Sequence, residues 1–112
     1  MKIPGAARAV LNPAKIRRYL LSREHVVGSA KARFFAQLGF DTQNWTVLRD
    51  ELYGFASQEA QPAAATRFGQ KYVVHGTITG PTGRSARVLV VWIILNGEDF
   101  PRFVTAYPGA ES

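Results

Sequence analysis

Residues 84–95 read Arg84-Ser-Ala-Arg-Val-Leu-Val-Val-Trp-Ile-Ile-Leu95, and every position from Val88 to Leu95 is apolar, most of them β-branched or aromatic. A run of this length and composition predicts a central strand covered on both faces or nearly so, and it is far too short to cross a bilayer. On its N-terminal side, Thr79-Gly-Pro-Thr-Gly83 supplies turn chemistry. Ahead of that turn, Lys71–Thr79 alternates, with Tyr72, Val74 and Ile78 on one side and Lys71, Val73, His75 and Thr77 on the other. On its C-terminal side, Asn96-Gly-Glu-Asp99 makes a second turn, and Pro101–Tyr107 forms a last strand stopped by Pro108 and Gly109. Simple alternation along that strand places Phe103, Thr105 and Tyr107 on one face and Arg102, Val104 and Ala106 on the other.

The first half has a different period. Asn12-Pro13 is a cap followed by a proline at the first helical position, and Ile16, Tyr19 and Leu20 recur at helical spacing, which predicts a helix over 13–21. Residues 22–28 read as a connector. Ser29 can cap a second helix with apolar positions Phe34, Phe35 and Leu38, ended by Gly39. Asp41 or Thr42 can cap a third, whose stripe is Trp45, Leu48, Leu52, Tyr53 and Phe55. The Gln- and Ala-rich stretch 57–65 reads as a loop. The expectation is an α+β fold, with three N-terminal helices packed on one face of an antiparallel β-meander of three to four strands. It should be one domain over 1–112, helical over about 13–58 and sheet over about 67–108.

With 112 residues, no cysteine and a formal charge of +6, the chain has no disulfide, thiolate zinc site or cysteine nucleophile. It lacks the pattern of a signal peptide, so a cytoplasmic setting without a membrane partner is expected. The charge is concentrated. Residues 1–36 carry eight Lys and Arg against Glu24 alone, a net +7, whereas 37–64 carry Arg49 against four carboxylates, a net −3. A basic face of this kind attracts polyanions, either nucleic acid or an acidic protein.

Familiar constellations are missing. His25 and His75 are fifty residues apart with no metal-binding spacing, and Thr79–Ser85 departs from a phosphate-binding loop in its glycine spacing and in leading to a strand. No cofactor is expected. Two anomalies remain. Counting back from Leu38, Phe35 and Phe34 by helical steps puts Lys31 on the apolar stripe, with Arg33 on the opposite, wet side. His25 lies a few residues earlier and places a titratable imidazole near that cation. In the last strand, Thr105 and Tyr107 are side by side, two hydroxyls and a ring able to bond a phosphate and stack a base.

The segments Arg-Glu-His-Val-Val-Gly-Ser-Ala-Lys-Ala-Arg-Phe-Phe35, Leu-Gly-Phe40, Asn-Trp45, Gly-Gln-Lys-Tyr-Val-Val74, Gly-Pro-Thr-Gly-Arg84, Val-Val-Trp-Ile93 and Phe-Val-Thr-Ala-Tyr-Pro108 together resemble a family of small bacterial domains. That family is similar to the barnase, EndoU, colicin and RelE-like ribonuclease toxins, with Val26 here where the proline after the histidine is usual. The resemblance implies a metal-independent endoribonuclease, the toxin of a toxin–antitoxin or phage-related pair, acting on RNA and facing a small acidic antitoxin or immunity protein. It implies His25, Lys31, Thr105 and Tyr107 as catalytic positions. Arg33, Arg84, Arg102 and His75 are candidates for holding RNA, His75 also being the reserve catalytic group. The competing reading is a non-enzymatic basic module that binds nucleic acid or an acidic protein.

Overall fold

The computed structural model describes residues 1–22 and 29–109. Four antiparallel strands form one sheet in the order β1-β2-β3-β4, with β1 Gln61–Ala65, β2 Gly69–Thr79, β3 Ser85–Leu95 and β4 Arg102–Pro108. Three helices precede them. α1 opens as an α turn over Pro13–Lys15 and widens into a π turn over Ile16–Leu20, α2 is Ser29–Gln37 and α3 is Trp45–Ala56. The architecture is the α+β order expected from the sequence.

Strand β3 lies between β2 and β4, yet only one of its faces is closed. Val88, Val90 and Trp92 are fully buried beneath the helices, while Leu89, Val91 and Ile93 keep part of their surface in solvent. The unbroken apolar run therefore reads as a half-covered strand with an apolar outer face, not one enclosed on both sides. Trp92 anchors the core, edge-on to Phe103 at 5.6 Å between ring centroids. Its indole N–H has no acceptor among the described residues, so Trp92 contributes by volume.

Two glycines set how closely the helices approach the sheet. A Cβ at Gly76 on β2 would come within 2.5 Å of the Phe55 ring, so its absence lets α3 sit down on the strand. A Cβ at Gly80 would lie 1.9 Å from the Leu38 carbonyl oxygen. That closeness lets the β2–β3 turn cap α2, since the Thr82 N–H and hydroxyl both donate to Leu38 O, at 3.2 and 3.0 Å. Gly39 ends the helix with φ 99°. α3 begins later than its cap signals suggested. Asp41 accepts N–H bonds from Gln43 and Asn44 in a turn ahead of Trp45.

Two local expectations are overturned. The stretch 61–65 is strand, not loop, paired with β2 through Gln61 opposite Val73 and Ala65 opposite Gln70. All five residues are exposed, so no alternation marks it, and Pro62 is tolerated because β1 is an edge. Strict alternation also fails in β4. Trp92 lies opposite Phe103 but Val91 lies opposite Thr105, which makes Val104 the extra residue of a β-bulge. Phe103 and Ala106 thus both align with core-facing residues of β3, while Thr105 and Tyr107 align with Val91 and Leu89.

Trp92→Ala should lower the unfolding free energy by about 3–5 kcal/mol, the usual cost of truncating a fully buried large aromatic. Gly54 is an exposed position inside α3 where an added Cβ meets nothing within 4 Å. Gly54→Ala should accordingly raise stability by about 0.5–1 kcal/mol. Urea unfolding of both variants beside the parent checks the pair, and a parental midpoint for Trp92→Ala contradicts the core assignment.

Candidate functional site

Beyond the bulge, β4 is flanked by the N-terminal segment. Val10 covers its start, donating to Pro101 O and accepting from the Phe103 N–H, both at 2.9 Å. The Lys15 ammonium then bonds Val104 O at 3.3 Å. Between α1 and the rest of β4 opens a cleft of about 550 Å³, lined by Asn12, Ala14, Lys15, Arg18, Tyr19, Val104, Thr105 and Tyr107. Among the described residues two cations line it and no carboxylate does.

Lys31 reaches the same place from α2. Its ammonium donates to Tyr19 Oη at 2.6 Å and to Thr105 Oγ1 at 2.8 Å. It also lies 4.8 Å from the Tyr19 ring centroid and 4.1 Å from that of Tyr107. Thr105 is 6% exposed, whereas Tyr107 keeps 45% of its surface in solvent. A cation partly removed from water needs compensation, which here comes from two hydroxyl oxygens and two ring faces. The four ion pairs among the described residues, Met1–Glu59, Arg8–Asp99, Arg49–Asp50 and Arg102–Glu98, leave Lys31 without a carboxylate. Among the described residues, then, nothing neutralises the ammonium's charge.

Tyr19 responds to that charge. The hydrogen bond from Lys31 holds its phenol below the ordinary tyrosine value of 10.0, helped by the Thr105 hydroxyl and by the charges of Lys31 and Lys15, with burial opposing. The cluster can bind an anion, stabilise negative charge that develops on it, and present an unusually acidic phenol.

The structure brings Lys31 to Thr105 and Tyr107, whereas the sequence set Thr105 beside Tyr107 and Lys31 beside His25. His25 lies outside the described residues. The other predicted contacts are dispersed. Arg33 is exposed on α2, and Arg84, at the β2–β3 turn, lines a different hollow with Phe34 and Gln37. Arg102 is held by Glu98 through two bonds of 2.8 Å and stacks over Phe100 at 5.1 Å. That pairing raises the Arg102 pKa and lowers that of Glu98. His75 is exposed on β2 opposite Leu89, which in turn faces Tyr107 across β4, so the two side chains flank one leucine on the open sheet face. Sequence reasoning missed Tyr19, Lys15 and Arg18. Their spacing of three and four residues is the available signal, but the same spacing sets Tyr19 with Ile16 and Leu20 as a core position. Among the described residues no three potential metal ligands converge.

Because the Lys31 ammonium favours the ionised phenol, its removal should let Tyr19 keep its proton to higher pH. Lys31→Met should shift the Tyr19 titration upward, read from phenolate absorbance with a Tyr19→Phe variant as the subtraction. Arg33→Ala should leave that titration where it was.

A search of the curated proteins finds no match to this sequence. Among solved structures, one chain of the "Contact-dependent growth inhibition toxin - immunity protein complex from Klebsiella pneumoniae 342" is similar, with a TM-score of 0.69 and 16% identity. The match covers 89% of this chain and 99% of that one, and at this identity it is a likeness of fold. Residues 2–110 match the family described as "Domain of unknown function (DUF6883)", and the chain belongs to that family.

Proposed function

We propose that this chain is a metal-independent endoribonuclease and the toxic member of a pair whose other member is a small acidic immunity or antitoxin protein. The observation that carries this reading is the Lys31 ammonium, which among the described residues bonds hydroxyls and ring faces and no carboxylate, beside a cleft that Lys15 and Arg18 also line. Such a site suits a phosphodiester attached to an aromatic base. The fold neighbour, a chain of a toxin–immunity protein complex, supports the toxin part of the reading. The net +7 of residues 1–36 supports both RNA and an acidic partner.

In the proposed reaction the RNA 2′-oxygen attacks the adjacent phosphorus. Lys31 stabilises the charge gathering on the non-bridging oxygens, and Thr105 bonds the phosphate. Tyr107, half in solvent with Lys31 on one side of its ring, stacks a base through its exposed surface. His25 takes the proton of the 2′-hydroxyl. Arg33, Arg84 and His75 extend the phosphate contacts along the flanks. Arg102, already neutralised by Glu98, contributes least. No helix among the described residues is long and apolar enough to cross a membrane.

Single-turnover cleavage of RNA with the partner removed tests the reading. Chelator should leave the rate unchanged, and binding should weaken with salt by roughly 0.7 log unit per phosphate contact. His25→Ala and Lys31→Ala should each slow the bound RNA by about 10²-fold or more, the usual worth of positioned proton transfer or fixed charge. Arg33→Ala should weaken binding modestly and leave the rate of bound RNA alone. RNA that is bound but never cut by the parent favours the non-enzymatic basic module. Activity lost to chelator and restored by magnesium rules out the metal-independent mechanism.

A further inference from the structure

A second hollow, of about 520 Å³, opens where the end of α2, the start of β3 and the end of β4 meet. Its walls are braced. The Thr82 hydroxyl ties the β2–β3 turn to Leu38 O, and the Gly109 N–H bonds Arg87 O at 2.7 Å, where a Cβ on Gly109 would come within 2.9 Å of the Arg87 carbonyl carbon. Arg84 and Arg87 line the hollow, and both are exposed. Neither belongs to the four ion pairs among the described residues, and Arg87 bonds the neutral Thr77 hydroxyl at 3.3 Å. The sequence explains this, since neither Ser29–Gln37 nor the stretch 60–97, with its four Lys and Arg, contains a carboxylate. From α2 come Phe34 and Gln37. The Phe34 ring stands edge-on to buried Phe35, with centroids 5.1 Å apart, and is itself only half-buried. The Gln37 amide is exposed and can both donate and accept.

We infer that this hollow is a second nucleotide subsite for single-stranded RNA, with Arg84 and Arg87 on phosphate, the Phe34 ring stacked on a base and Gln37 bonding that base's edge. The inference rests on the RNA part of the proposed function and adds a place where the strand is held outside the cleft. Guanidinium forks match phosphate oxygens, and a half-open ring beside an amide suits an unstacked base. The hollow has the volume usual for sites that hold one small ligand. The cleft is lined as far as Tyr107 and the hollow from Pro108, the next residue of β4, so one strand can pass from the first to the second. An acidic peptide would engage the two guanidinium groups alone, whereas a nucleotide also uses the ring and the amide.

The test is equilibrium binding of 2′-O-methyl RNA hexamers, whose attacking hydroxyl is blocked, over a range of salt. Arg84→Ala and Arg87→Ala should each weaken binding and lower the log-log salt slope by about 0.7. Phe34→Leu, which keeps an apolar side chain against Phe35, should weaken binding roughly fivefold or more with the slope unchanged, the usual worth of one stacked base. Gln37→Ala should leave the slope alone and change the ratio of affinities for adenine and uracil hexamers. Arg67→Ala, an exposed cation on the β1–β2 turn, should match the parent. Effects of the four hollow variants no larger than that of Arg67→Ala overturn the subsite and leave the ribonuclease reading to its cleavage test. Hexamers held through these residues while ordinary RNA goes uncut uphold the subsite and overturn the ribonuclease reading. Hexamers that the parent does not bind overturn the subsite. Polyglutamate that binds the parent as tightly, and loses as much with Phe34→Leu, marks a site for acidic protein and overturns the nucleotide assignment. Should Phe34→Leu fail to fold, hexamers carrying 5-iodouracil answer on the parent itself. Irradiation should join them to Phe34, and cross-links that spare Phe34 overturn the proposal.

Discussion

Strand β4 must satisfy two environments at once, and a single extra residue lets it. Phe103 has to meet Trp92 in the core, and Ala106 has to lie against Val90. A regular strand with period two cannot give both positions the same face. The bulge at Val104 resolves the conflict by resetting the alternation between them. Thr105 and Tyr107 are then left together on the other phase of the strand, where Lys31 and Tyr19 meet them. Core and site are thus two outcomes of one backbone irregularity. Bulges recur next to functional sites for this reason, since they aim side chains without disturbing the rest of the ladder.

The lysine makes the site polar at a place where the fold would otherwise be apolar. Phe35 and Leu38 follow it on the same helix face and are buried. Had a carboxylate been its partner, the ammonium would be neutralised and the cleft closed to anions. Among the described residues hydroxyls and ring faces instead take the place of water around it and leave its charge without a carboxylate. The dense pairing elsewhere emphasises the contrast, because Arg8, Arg49 and Arg102 each hold an acidic neighbour.

Much of this was legible in the sequence because it is local. The eight apolar residues of β3, the turns around Gly83 and Gly97, and the step from Leu38 back to Lys31 each need only a short window. What could not be read has physical causes. β1 consists of exposed Gln, Pro and Ala that bury nothing, so only its backbone pairing with β2 declares it a strand. The bulge has no compositional mark, since Val104 would suit a regular strand equally well. Tyr19 was visible only as an apolar position. A half-buried tyrosine presents the same letter to a periodicity argument whether its hydroxyl is idle or bonded to a cation 2.6 Å away.

The π turn in α1 couples these observations to chain length. Leu21 N–H bonds Ile16 O at 2.9 Å, five residues back, so this turn holds one residue more than an α-helical one. Ile16 and Leu20 are both fully buried within it, and Tyr19 sits between them on the cleft side. In an α-helix each residue turns the chain by about 100°, so losing one here would regularise the hydrogen bonding and rotate everything before it relative to everything after. Lys15 and Tyr19 would then no longer look into the same cleft. Composition alone therefore does not define this cleft. Between Pro13 and Leu21 the number of residues decides which side chains share the cleft, so a single deletion there would keep the chemistry of the segment and change what the cleft presents.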